Sequence, residues 1–306
     1  MKKWVVLLLL AVLIGNAYMQ RHREDKSGGL AKTDEQSTAV DWEKGASDGD
    51  SVGDGDGNGN GDWRTIRLTD AQTYAGSLIL VNSAHPVRED GVLDDIVALA
   101  EQPELTFGYG LLEADTRLSA SVAERFRDMV GAAAADGVTH FRISSGYRDQ
   151  AEQRRMYEQK GADYALPPGR SEHNTGLSLD VGSTLGEMGG SPEGKWLIRH
   201  AAEHGFILRY PKDKTEVTGI QYEPWHFRYV GLPHSLIMAE NNLALEEYTA
   251  YLRKKGGIRT DAGGERYEIQ VVAVDGRATV RVPADAKVEL SGDNQGGVIV
   301  TSRLNE

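Results

Sequence analysis

Between residues 45 and 62 the chain reads "GASDGDSVGDGDGNGNGD", in which Val52 is the only branched apolar side chain. Such a run cannot bury enough apolar surface to offset the entropy lost on ordering it. It confines a packed core to the residues C-terminal to it and marks residues 24–62 as an acidic, Gly/Asp-rich linker. Within it, "DGDGNG" sets Asp54, Asp56 and Asn58 at positions one, three and five of a calcium-loop pattern, with Gly59 at six. Position twelve, which should be a bidentate Glu, is Thr65, and no helical pattern flanks the N-terminal side. The linker reading prevails.

Ahead of the linker stands "MKKWVVLLLLAVLIGNAYMQRHR", residues 1–23. Two lysines precede an apolar run from Trp4 to about Met19, and arginines follow. That arrangement is expected to direct export with the N-terminus inside. Gly15-Asn16-Ala17 makes a poor cleavage site, so the segment is expected to stay as a single-pass anchor with the folded part outside the cytoplasm. The net charge of −12 argues against a nucleic-acid partner. The absence of cysteine excludes disulfides, thiolate metal sites and a cysteine nucleophile.

From Trp63 onward, strands and helices mix without a regular βαβ alternation, which predicts an α+β fold with a central antiparallel sheet and flanking helices. "SLILVN" (77–82) reads as a buried strand, and "REDGVLDDIVALAEQ" (88–102) as an amphipathic helix. Residues 119–137 form a second helical pattern, closed by Gly137. "VTHFRISSGYR" (138–148) reads as a strand ending in a turn. A helix over 149–161 takes Asp149 as N-cap and Gly161 as stop. Another begins with Ser191 as cap and Pro192 at its first position. "FILRYP" and "EPWHFRYVG" read as short strands, and 243–257 as the last helix. The expected main domain therefore spans 63–257. Residues 258–306 alternate around an Asp-Gly turn, a hairpin signal, and read as a small β appendage.

The chemistry is concentrated in "SEHNTGLSLDVG" (171–182), where His173 and Asp180 stand among small residues. A catalytic zinc site draws three ligands from His and carboxylate and leaves a fourth position open. His226, in "YEPWHFRYVG", is the best third ligand. Glu223, three residues before it, suits a general base that takes a proton from the attacking water. Gly176 and Ser178 allow a close turn between the first two ligands. Each residue has a plainer role: a loop histidine that only hydrogen-bonds, an aspartate capping the turn at Gly182, a glutamate paired with a surface arginine. The four together carry the zinc-hydrolase reading. A rival, "HAAEH" (200–204), has the H-x-x-E-H spacing, but it lies in the last turns of a helix ended by Gly205, where the helix dipole favours histidine. No S-x-x-K or K-T-G occurs, which argues against a serine mechanism.

"SSGYRD", "YALPPGRSEHNTGLSLDVG", "GFILRYP" and "YEPWHFRYVGLPHS" together are very similar to the zinc D-alanyl-D-alanine carboxypeptidases of the VanY type. These are membrane-bound M15 metallopeptidases of glycopeptide (vancomycin) resistance. The resemblance runs from about Tyr74 to the C-terminus. It implies a hedgehog/D,D-peptidase-like fold in which His173, Asp180 and His226 bind Zn2+ and Glu223 is the base. It implies that Arg148 stabilises the oxyanion, and that Gln153, Ser171, Tyr210 and Trp225 shape the pocket for the substrate's D-residue and free carboxylate. Arg148 could otherwise pair with Asp149 or Glu152, and Tyr210 and Trp225 could be core aromatics. The implied substrates are peptidoglycan precursor stem peptides ending in D-Ala-D-Ala, with D-Ala-D-lactate esters within the same chemistry. Two alternatives remain at this level: an L,D-carboxypeptidase trimming tetrapeptides, and a non-catalytic cell-wall binding module.

Overall fold

Alternation in two short strands decides which side chains face the site. In the computed structural model, which describes residues 63–161 and 165–305, β6 (Ser178–Ser183) pairs antiparallel with β8 (His226–Tyr229). Leu179 lies opposite Phe227, and both are fully buried in the main core. Strand geometry then sends Ser178, Asp180, His226 and Arg228 to the other face. β5 (Phe141–Ser145) pairs with β6 on its far side, β7 (Phe206–Leu208) with β8, and β3 (Gly110–Leu111) adds a parallel edge to β5. The sheet order is β3-β5-β6-β8-β7.

The core face is covered by α1 (Ala120–Ala135), which buries Val122, Phe126, Met129, Val130 and Ala133 at helical spacing. Ser119 caps it by accepting from the Val122 N–H. α3 (Pro192–His200), capped by Ser191, adds Trp196 and Leu197. α2 (Gln150–Lys160) starts at Asp149, whose carboxylate accepts from the Glu152 N–H, and ends at Gly161. A short α4 (Thr215–Thr218), α5 (His234–Glu240) and α6 (Leu245–Lys255) follow.

Residues 88–102, expected to be helical, instead form two 3-10 turns, Glu89–Gly91 and Leu99–Glu101, around β2 (Ile96–Ala98). β2 pairs with β4 (Arg117–Ser119), and Asp95 accepts from the Ser121 N–H at the start of α1. Tertiary partners thus draw the segment out of helix. Residues 78–81 of the expected 77–82 strand are buried, but the segment belongs to no strand. Their polar backbone is satisfied from elsewhere: Ser291 Oγ and the Asp293 carbonyl accept from the N–H groups of Leu78 and Leu80. Arg228 donates to the carbonyls of Ser77 and Ile79.

The C-terminal strands are β9 (Gly257–Ala262), β10 (Glu265–Ala273), β11 (Arg277–Pro283), β12 (Lys287–Gly292) and β13 (Gly297–Leu304). Four of them form a sheet in the order β12-β13-β10-β9. The Asp275-Gly276 turn does not close the expected β10–β11 hairpin. It passes β11 to a second sheet, where it pairs along its length with β1 (Trp63–Thr69). Leu68, Val280 and Val282 of this pair bury against Val298 and Val300. The expected 258–306 unit therefore recruits the first described strand. A further cluster joins it to the peptidase part, with Tyr248 and Leu252 of α6 packed among Tyr267, Ile269 and Ile299. The expected anchor (1–23) and linker (24–62) lie outside the described residues. Among those described, no helix is long and apolar enough to cross a membrane.

Candidate active site

Asp180 and His226 stand directly across the β6–β8 pair, with Asp180 Oδ1 2.9 Å from His226 Nδ1. His173 comes from the preceding 3-10 turn, Glu172–Asn174, which Ser171 caps by accepting from the His173 N–H. The chain then returns to β6 through Gly176, at φ +83, where a Cβ would run into Ile96. The Nδ1 of His173 lies 2.7 Å from the Gly146 carbonyl, which fixes the ring and leaves Nε2, 3.4 Å from Asp180 Oδ1, facing the cluster. Gly146 is required there because a Cβ would strike the Arg117 carbonyl.

One donor atom from each of His173, Asp180 and His226 lies within 4.8 Å of the others, and this is the one such group of three among the described residues. Two imidazoles and one carboxylate, with an outer hydrogen bond holding His173, match the donor chemistry of a zinc site. Burial opposes charge on all three. It lowers the pKa of His173, whereas for Asp180 the two histidines outweigh it and hold the carboxyl far below its usual range. For His226, hydrogen bonds to Asp180 and Glu172 overcome burial and push the pKa up to about 9.

Glu223 is set by a turn in which its N–H donates to the Tyr210 carbonyl and the His226 N–H donates to its own carbonyl. Its Oε2 lies 4.0 Å from His226 Nδ1. Burial pushes its carboxyl upward; His226 opposes this and the Asp180 charge adds to it. Arg148 is tied to the His173 turn through its backbone: its N–H donates to the His173 carbonyl and its own carbonyl accepts from Asn174 Nδ2. Its Nη1 meets Met156 Sδ at 2.8 Å, its Nη2 lies 3.5 Å from Ser171 Oγ, and its buried Nε has no partner. Asp149 and Glu152, the expected structural partners, both turn to Arg117 instead. The guanidinium is left without a carboxylate among the described residues, beside the three donors.

Tyr210 is buried with its ring 4.9 Å from that of His226. Gln153 is 1 % exposed rather than solvent-facing; it donates to the Leu166 carbonyl and leaves Oε1 unpartnered. Trp225 is 42 % exposed, so it is no core aromatic. His200 and His204 do not build a second metal site: His200 stacks on Trp196 at 4.7 Å and pairs with Glu203.

Sequence reasoning passed over four charges beneath the site. Glu172, Arg209 and Arg228 are fully buried, and Glu246 lies next to them. The available signal was an arginine inside each of two apolar strand patterns, "FILRYP" and "HFRYVG".

A profile of the VanY D-alanyl-D-alanine carboxypeptidase family matches residues 115–232. A D-alanyl-D-alanine carboxypeptidase from Enterococcus faecium is 54 % identical over 234 residues, covering 76 % of this chain and 77 % of that protein. The bifunctional D-Ala-D-Ala dipeptidase and carboxypeptidase VanXYC of Enterococcus gallinarum is 36 % identical over 192 residues, covering 58 % of this chain and 95 % of its own. Among solved structures, the vancomycin-resistance D,D-dipeptidase VanXYg, in complex with a D-Ala-D-Ala phosphinate analogue, superposes with a TM-score of 0.70 at 31 % identity. That likeness covers 80 % of this chain and 100 % of the other.

Proposed function

Because the chain belongs to the VanY family of D-alanyl-D-alanine carboxypeptidases, we propose that His173, Asp180 and His226 hold its zinc and that Glu223 and Arg148 carry out the chemistry beside it. The protein is a zinc-dependent carboxypeptidase that removes the C-terminal D-alanine from peptidoglycan precursors ending in D-Ala-D-Ala. Loss of that residue destroys the terminus a glycopeptide antibiotic binds, which connects the activity to vancomycin resistance. The L,D-carboxypeptidase and binding-module readings are not favoured, since the matched family and the two relatives above carry D-Ala-D-Ala peptidase names.

When bound, zinc supplies a Lewis acid and brings the pKa of water down to about 7. His173, Asp180 and His226 would hold it, each offering one donor atom to the cluster. Glu223 takes a proton from the attacking water at Oε2 and returns it to the amide nitrogen as the peptide bond breaks. Arg148, whose charge is retained at any working pH, offers the oxyanion a guanidinium that no carboxylate pairs among the described residues. Ser171, Gln153, Tyr210 and Trp225 bound the pocket for the terminal D-residue. The unpartnered Gln153 Oε1 gives it one acceptor for a substrate N–H. One observation supports this reading above the rest: a three-donor cluster with a raised carboxyl beside it and a guanidinium nearby that pairs with no carboxylate among the described residues.

Residues 1–23 are proposed to tether the protein to the cell membrane as a single-pass anchor, with the peptidase on the extracytoplasmic side. The lysine flank and the apolar run support this. Fractionation, with protease added to intact cells, tests it; a soluble cytoplasmic product would refute it. The activity is tested by D-alanine release from pentapeptide by a soluble chain beginning near Trp63. Release should stop with a chelator, return with zinc and persist with penicillin. Inhibition by penicillin alone would contradict the zinc mechanism.

A further inference from the structure

Glu172 sits between the capping Ser171 and His173, where a loop glutamate would ordinarily reach solvent, yet its side chain is fully buried. Its Oε1 accepts from Arg209 Nε and Arg228 Nη1, both at 2.8 Å. Its Oε2 lies 3.4 Å from His226 Nε2. The opposite ring nitrogen, Nδ1, faces Asp180 at 2.9 Å, so one imidazole spans two carboxylates.

A buried carboxylate is costly unless its acceptor positions are filled. Here each arginine is completed on its other side. Arg209 makes a two-pronged pair with Glu246, at 2.8 and 2.7 Å, and Arg228 donates to the Ser77 and Ile79 carbonyls. Two carboxylates and two guanidinia cancel, and the set is anchored in α6 and in the buried 77–80 segment. So rigid a set is more than the surface of an ordinary loop needs, and its one edge without an arginine points at His226.

We propose that Glu172 is a positioning residue for the cation site: it holds the His226 ring with its proton on Nε2, which leaves the Nδ1 lone pair free for the metal. The proposal rests on the reading of His226 as a ligand. It assigns Glu172 a task that glutamine cannot share. A glutamine amide must either turn its NH2 toward two guanidinium donors, or turn it toward His226 Nε2. The second arrangement drives the proton to Nδ1, the atom that should ligate.

The test compares the parent, Glu172→Gln and Glu246→Gln, with zinc affinity read by chelator competition and ligand geometry by the visible spectrum of the cobalt(II)-loaded proteins. Glu172→Gln should bind zinc about 10–100-fold more weakly and shift the cobalt bands. Glu246→Gln, which loosens the same network but keeps the Glu172 carboxylate, should lose thermal stability with little change in zinc affinity. Equal losses of affinity in both variants, or parent-like affinity in Glu172→Gln, would overturn the proposal. Should Glu172→Gln not fold, nitrogen-15 spectra of the zinc-loaded parent decide: a proton on Nε2 and metal on Nδ1 of His226 are required, and the reverse overturns it. A parent that binds no zinc would sink the ligand reading itself, an outcome distinct from these.

Discussion

Arg148 and Asp149 are neighbours in sequence with opposite charges, yet they do not pair. Asp149 caps α2 and turns with Glu152 toward Arg117, whereas the Arg148 guanidinium points to Met156 and Ser171. The division leaves one cation stabilising the fold and the other available to a substrate.

Arg148→Ala should therefore cost activity far more than stability. A lost oxyanion donor lowers turnover by about 10²–10³-fold. Loss of a guanidinium that pairs with no carboxylate should lower the melting temperature only slightly. Steady-state D-alanine release and a thermal melt of the same preparation read both. A large drop in melting temperature with parent-like turnover would make Arg148 structural.

Glu223→Gln should retain zinc and lower turnover by about 10²–10⁴-fold, the usual contribution of a positioned acid–base group. Metal content after dialysis, measured beside D-alanine release, checks the two halves of the statement. Unchanged release would remove Glu223 from the mechanism.

His234 gives the fold an acid sensitivity remote from the site. It is buried between the Tyr248 hydroxyl and Thr301 Oγ1, and burial pulls its pKa from 6.5 down to about 3. The folded chain thus binds fewer protons than the unfolded one between those values. Its contribution to stability is complete above about pH 6.5 and is lost as pH falls toward 3. The loss approaches about 1.4 kcal/mol per pH unit inside that window. Denaturant unfolding of the parent and His234→Gln at pH 7 and pH 5 should show the larger acid loss in the parent. Equal losses would clear His234 of the effect.

Leu68→Ala should destabilise the protein by about 2–5 kcal/mol, because Leu68 is fully buried among the valines of the β unit. Turnover per folded molecule should hold, since none of the site side chains joins that cluster. Active-site titration alongside a denaturant curve separates the quantities. A fall in turnover with no loss of stability would tie the β unit to the chemistry instead.

What the sequence made legible was local. Caps at Asp149 and Ser191 located two helices because a cap and the N–H it serves lie within one turn. Residues 92–99 were misleading, because Val92, Leu93, Ile96 and Val97 recur at helical spacing while tertiary bonds through Asp95 and β4 decide otherwise. The charges around Glu172 were illegible for the same reason: the glutamate and its partners Arg209, Arg228 and Glu246 are distant in sequence, and only the folded sheet brings them together. The three proposed zinc ligands were legible by residue type and spacing, whereas the groups that steady them were not.

The strand that opens the described chain has its partner near the end, with Arg64 reaching Ala286 across 222 positions. During synthesis β1 emerges early and stays unmated until β11 has followed it. Docking of β1 therefore has to wait until β11 has been made, and a polypeptide cut short before Arg277 would carry an open β edge that invites proteolysis or aggregation.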